Sequence, residues 1–169
     1  MGKVNLKDLA DEMDFMIDEW SYFVNRRTGE IISVDDHHLG YAEDPDEIPE
    51  DITEWEREAI DEAIKLLENR DDLLRFPGKY DMNGYGMMED FIETVKNPHI
   101  RDSLVNAIKG RGAFRRFKDS AERVGVLDAW YKYKEAQLLA YAKEWCESNG
   151  LQYSMENAEF PNRDISVLG

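Results

Sequence analysis

Cysteine, histidine and proline are scarce in this chain of 169 residues, with one, three and five copies, and no long apolar run interrupts its charge. Each scarcity removes a class of protein. The lone thiol, Cys146, cannot close an intramolecular disulfide, so the chain is expected to stand on a hydrophobic core and to suit a reducing compartment. Between Met1 and Asp14 charged side chains break up the apolar ones, leaving nothing of signal-peptide or membrane-span length. The cytoplasm is the expected location, and a membrane is not an expected partner. No internal repeat or low-complexity tract is present.

Positive charge is also in short supply: 21 Lys and Arg face 37 Asp and Glu, for a formal charge of -16. The imbalance is local. Met1 to Asp72 holds 7 basic against 23 acidic residues, whereas Leu73 to Gly169 holds 14 of each. A polyanion such as nucleic acid would be repelled unless basic groups gathered on one face. Aromatics, by contrast, are plentiful. With 4 Trp, 8 Tyr and 7 Phe the chain has enough large apolar surface to offset the entropy of ordering, which excludes wholesale disorder. A chain of this length buries about 70% of its unfolded surface, as one domain does.

Local patterning sorts the chain into elements. Leu6, Leu9 and Met13 behind Asn5 predict a short helix. Trp20–Asn25 and Glu30–Val34 flank Arg26-Arg27-Thr28-Gly29 and predict a β-hairpin. Asp35 to Asp51, with eight acidic residues and no basic one, reads as an extended, solvated loop. Thr53 and Glu56 form a capping box that starts a helix reaching about Asn69. Leu73–Phe76, closed by Pro77-Gly78, reads as a strand able to join the hairpin. Helices follow over Tyr85–Val95, from Pro98 through Ile108, over an apolar face of Phe114, Phe117, Ala121 and Val124 stopped by Gly125, and from Leu127 to Asn149. Leu151–Met155 is expected to return as a strand. The class is therefore α+β, a small antiparallel sheet on a hairpin packed against several helices, in one domain over residues 1–155 with a polar tail over 156–169.

Against the acidic background, Arg101 to Arg123 carries seven basic side chains and three acidic ones. Within it Gly110, Arg111, Gly112, Arg115, Arg116 and Lys118 are the candidate anion-binding residues, because glycines admit close backbone approach and arginines offer forked donors to phosphate or carboxylate. The competing reading pairs these arginines with the acidic first segment. Asp35-Asp36-His37-His38 suggests a metal only superficially, since neighbours on an extended segment point apart, and His99 has no evident partner; no metal and no cofactor are expected. Cys146 lies between Glu144 and Glu147, which disfavour a thiolate. Nucleophile-elbow, phosphate-loop and dinucleotide fingerprints are absent, and pairs such as Asp71-Asp72 and Glu89-Asp90 are too common here to mark a general acid and base, so an enzyme is unsupported. The stripe from Trp130 to Trp145 reads as core rather than a base-stacking platform. Met87 and Met88 read as packing residues, with the further option that Met82, Tyr85, Met87 and Met88 beside Gly84 and Gly86 form an adaptable contact surface.

Asp18-Glu19-Trp20 with Thr28-Gly29-Glu30, then Met88-Glu89-Asp90-Phe91, then the decapeptide Gly110-Arg111-Gly112-Ala113-Phe114-Arg115-Arg116-Phe117-Lys118-Asp119, followed by Trp130 and Trp145, together resemble a bacterial uncharacterised protein family catalogued under a UPF number. The resemblance covers roughly Val4 to Tyr153, leaving aside Asp35–Asp51 and the residues from Glu156. It implies no activity, cofactor or catalytic residue. It does place its signature on the segment that the charge count selects independently, where glycines fixing a tight interhelical turn around Phe114 and Phe117 would leave the same mark. Two functions are expected from these observations: a non-enzymatic binding or regulatory module docking an anionic group, nucleic-acid phosphate or an acidic protein segment, at the Gly110–Lys118 face; or an acidic protein presenting its N-terminal carboxylates to a basic partner. An enzyme acting on a phosphorylated small molecule ranks third.

Overall fold

Asn5 starts the first helix as its position predicts, its side-chain oxygen accepting from the Asp8 N–H at 3.0 Å. In the computed structural model, which describes residues 2–77 and 83–156, α1 (Leu6–Phe15) buries Leu6, Leu9, Ala10 and Met13 and follows directly on a two-residue strand, β1 (Val4–Asn5). The hairpin pairs β2 (Trp20–Asn25) with β3 (Ile31–Asp35), Val24 lying opposite Ile31. Gly29 closes it at φ 78, where a side chain would also collide with the Lys3 backbone. β4 (Leu73–Arg75) joins β2 antiparallel as expected, giving the order β3-β2-β4.

The acidic stretch after the hairpin is not a loop. It forms α2 (Asp36–Glu43) and a 3-10 turn, Pro45–Glu47. Asp35 caps α2 by accepting from the His37 N–H at 2.8 Å, and Asp36 in the first turn suits the positive end of the helix dipole. Ala42 is buried and Leu39 partly so, against Ala63 and Leu67 of α3 (Glu54–Glu68), while Asp36, Glu43, Asp44, Asp46 and Glu47 face solvent. Burial of one short apolar edge outweighs repulsion between carboxylates that water screens. The capping box of α3 forms as expected, the Glu56 N–H and side chain both meeting the Thr53 hydroxyl at 3.3 Å.

The four later helices are α4 (Gly84–Thr94), α5 (Pro98–Ala107), α6 (Ala113–Arg123) and α7 (Leu127–Ser148). Gly125, at φ 80, ends α6: its N–H reaches the Glu122 carbonyl at 3.2 Å and the Val126 N–H reaches that of Ala121 at 2.8 Å, the Schellman pattern. The return strand β5 is only Tyr153–Ser154 and pairs in parallel with β1, Val4 opposite Tyr153, away from the antiparallel sheet. Gly78, Met82 and all but the first residue of the expected tail over 156–169 lie outside the described residues.

One apolar face is displaced from its expected position. The buried side of α6 is Ala113, Phe117, Ser120 and Ala121, and Phe114 is 57% exposed. Ala113 begins the stripe one position early, so Phe114 lies about 100° around the helix from it. Tyr131 and Trp55 are likewise exposed rather than core.

Two main cores result. The first joins α1, β2 and Phe76 to Leu138, Leu139, Ala142 and Cys146 of α7. The second gathers α4, α5 and α6 around Trp130 of the same helix, with the rings of Phe91, Phe117 and Trp130 in edge contact at 4.9 to 6.2 Å. On the other face of the hairpin, Val34, Ala42 and Ala63 form a smaller cluster with Phe23. α7 thus belongs to both main cores.

Candidate functional site

Gly110 and Gly112, both at positive φ (79 and 73), turn the chain from α5 into α6. The guanidinium of Arg116 folds back over that turn: Nε donates to the Ala107 carbonyl at 3.0 Å, and its two terminal nitrogens donate to Arg111 and Lys109 carbonyls. The Ala107 carbonyl ends α5 and the other two belong to the turn that follows, so the fork satisfies one acceptor that the helix leaves unpaired and ties down the turn. Arg101 performs the same service for α4, its Nε donating to the Val95 carbonyl at 2.9 Å. The competing reading, in which the basic segment pairs with the acidic one, finds no ion pair among the described residues, whose bridges are Lys7–Asp11, Lys7–Glu135, Arg27–Asp72 and Lys134–Asp14. Electrostatic attraction in the high dielectric of an exposed surface is weak, and carbonyls already in reach are the better acceptors.

Arg115 and Lys118 point elsewhere. Together with Phe114 on the same side of α6 they line a cleft of about 820 Å³, between the two cores, whose apolar wall includes Met87, Trp130 and Leu138. Lys134 of α7 and Asp14 of α1 complete it, 2.8 Å apart. Lys118 also lies over the Tyr131 ring, 5.8 Å from its centre. Gly84 lets Phe114 come close, because a Cβ there would sit 3.2 Å from the Phe114 ring. That glycine begins α4, which has no acidic residue in its first turn and is capped by Asn83, whose oxygen accepts from Gly86 N–H at 2.8 Å. The helix dipole therefore adds to the positive character of Arg115 and Lys118.

Of the six residues proposed from sequence, Arg115 and Lys118 meet in this cleft, whereas Gly110, Arg111, Gly112 and Arg116 build the turn beside it. Sequence reasoning missed Lys134 and Asp14, read Phe114 as core packing, and considered Met87, beside Gly84, only as packing or adaptable surface. Lys118 and Lys134 sit on different helices, and no spacing in the sequence connects them.

Other candidates resolve plainly. His37 and His38 are on a helix, not an extended segment; the first lies edge-on to Tyr41 at 4.6 Å and the second to Trp55 at 6.2 Å. Among the described residues no group of three or more His, Cys, Asp or Glu is placed to hold a metal ion, and no helix is long and apolar enough to cross a membrane. Cys146 is fully buried, and desolvation, with a smaller push from Glu147, raises its thiol from the ordinary 9.0 to about 11. It is a packing residue with no thiolate at neutral pH.

A family model described as an uncharacterised protein family, UPF0158, matches residues 3–167, a span that takes in the 35–51 segment and most of the tail. A UPF0158 protein of Pseudomonas aeruginosa is 36% identical over 93 residues, covering 54% of this chain and 61% of that protein. The chain thus spans less than two thirds of that relative's length. No solved structure matches.

Proposed function

The chain belongs to the uncharacterised protein family UPF0158, and from the cleft itself we propose that it is a non-enzymatic binding module that docks an acidic protein segment. One observation carries the reading: Arg115 and Lys118 project, beside the exposed ring of Phe114, into a concavity with an apolar wall. A ligand suited to it has carboxylates for the two cations and a bulky apolar side chain for Met87 and Phe114. A polynucleotide fits less well. Few phosphates would be neutralised here, so little counterion release would favour binding, and the whole chain at -16 repels a polyanion. The carboxylate that shares the cleft, Asp14, is already engaged by Lys134.

Titration of short acidic peptides with a central phenylalanine, followed by amide NMR, tests this. Arg115→Glu combined with Lys118→Glu should abolish binding, and replacing the peptide's carboxylates by amides should do the same. Arg116→Glu should leave peptide affinity alone while weakening the α5–α6 turn. Equal affinity for the double charge reversal and the unaltered chain, or a preference for a single-stranded oligonucleotide, would overturn the reading.

A further inference from the structure

A second concavity, of about 620 Å³, runs between the hairpin and α3 on the acidic side of the molecule. Two tryptophans line it, Trp55 largely uncovered at 64% exposure and Trp20 partly so at 40%, with Ile32 and Leu66 beside them. Large exposed indoles in a groove are costly to hydrate and are the side chains most often found at the energetic centre of interfaces.

The strand that forms one wall is an edge. β3 is the outer member of the order β3-β2-β4. Ile32, Ser33, Val34 and Asp35 all line the groove, residues from both faces of the strand, so it borders the rim of β3 as well as reaching Asn25 of β2 and Leu73 of β4. Ladder parity says which backbone groups are open. The Asn25 N–H donates to Glu30 and the Asp36 N–H to Glu19, each at 2.9 Å, so bonded pairs alternate from those positions and Ser33, opposite Tyr22, falls in a pair without mutual bonds. Its N–H and C=O therefore point away from β2, toward the open edge.

Charge names the occupant. The groove is lined by Glu30, Asp35 and Glu62 against one lysine, Lys65. α3 as a whole presents six carboxylates and two cations, and none of the three lining carboxylates belongs to an ion pair among the described residues. We infer that the edge of β3 and the facing side of α3 receive an extended peptide segment of a partner protein in which lysine or arginine alternates with bulky apolar residues. The peptide adds a strand to β3, its backbone bonding at Ser33, its apolar side chains packing on Trp55 and Leu66, and its cations meeting Glu62 and Asp35. An edge of five residues, about 17 Å long, accommodates a segment of similar length. A second copy of this chain is the poorer occupant, since the two acidic edges would repel one another.

The probe is a synthetic seven-residue peptide alternating lysine with valine, set against its counterpart with glutamate in place of lysine. Tryptophan fluorescence and amide NMR of the full chain should show saturable binding of the lysine peptide alone, weakening as salt rises, with the amides of residues 31–35 shifting and gaining protection from exchange. Trp55→Ala, at an exposed position that folding does not need, should weaken binding about tenfold. Ser33→Pro, which removes the outward N–H at an edge where proline is tolerated, should abolish strand addition with circular dichroism unchanged. Absence of saturable binding, binding that leaves residues 31–35 undisturbed, affinity untouched by Trp55→Ala, or self-association through β3 overturns the inference.

Discussion

The sheet half and the helical half of this molecule handle charge in opposite ways. Through Asp72 the chain is densely acidic, and every ion pair among the described residues has at least one member there, including the reciprocal bridges Lys7–Glu135 and Lys134–Asp14 between α1 and α7. Beyond it, the cation-rich segment turns two arginines, Arg101 and Arg116, onto backbone carbonyls and leaves Arg115 and Lys118 at a cleft. Proximity and fork geometry, not the sign of the distant charge, decide what an arginine does. The same division gives the molecule two concavities of opposite polarity, a basic one lined by α6 and an acidic one between β3 and α3.

The strongest way to break the comparison is to empty one core at a time. Phe91→Ala in the helical core should cost about 3–5 kcal/mol, and Leu139→Ala in the other about 2–5 kcal/mol. Because both cores use α7, urea unfolding followed by far-ultraviolet and near-ultraviolet dichroism should stay a single transition in either variant; two separated transitions would show that the halves are independent. Cys146 sharpens the same point through pH. Its thiol titrates near 11 when folded against an ordinary 9.0, so its contribution to stability is complete below pH 9 and declines as pH rises toward 11. Cys146→Ala should flatten that decline, and thiol reagents at pH 8 should label the native chain only at its rate of opening.

Smaller effects test the turns. Gly125→Ala forces a side chain into φ 80 and should cost about 1–2 kcal/mol, while Gly40→Ala, inside α2 with nothing within 4 Å of the added carbon, should stabilise by about 0.5–1 kcal/mol. Arg116→Ala should lose about 1 kcal/mol in thermal melts and Arg115→Ala almost nothing, separating the structural arginine from the one at the cleft. Smallest of all, Lys7→Met removes two exposed bridges, for a change of about 0.2–1 kcal/mol that vanishes in high salt.

Elements governed by local rules were legible in the sequence. Asn5 and Thr53 cap the helices that their positions predict, Pro98 opens the helix it is expected to open, and Gly29 and Gly125 sit at the positive φ their contexts require. Where tertiary contact decided, the reading failed. α2 exists because Ala42 and Leu39 find α3, a partner eleven or more residues further on, and a count of carboxylates cannot register that. Phe114 faces the cleft because Ala113 starts the buried stripe, a choice between two nearly equal phases of one pattern. For the candidate site, two of the six residues singled out in the sequence line the cleft; its other walls come from α1, α4 and α7, which only packing brings together.

The two-residue pairing of β1 with β5 also sets an order of events in time. Val4 and Leu151 both belong to the first core, and Val4 is bonded through its N–H to Gln152 at 2.9 Å, so that core stays open until residues near 153 are available to close it. During synthesis α1 and the hairpin emerge well before α7, with Leu9 and Met13 still lacking their apolar partners. The carboxylates of the first 72 residues are already present at that stage, and repulsion between like charges opposes contact between chains whose hydrophobic faces the last helix has yet to cover.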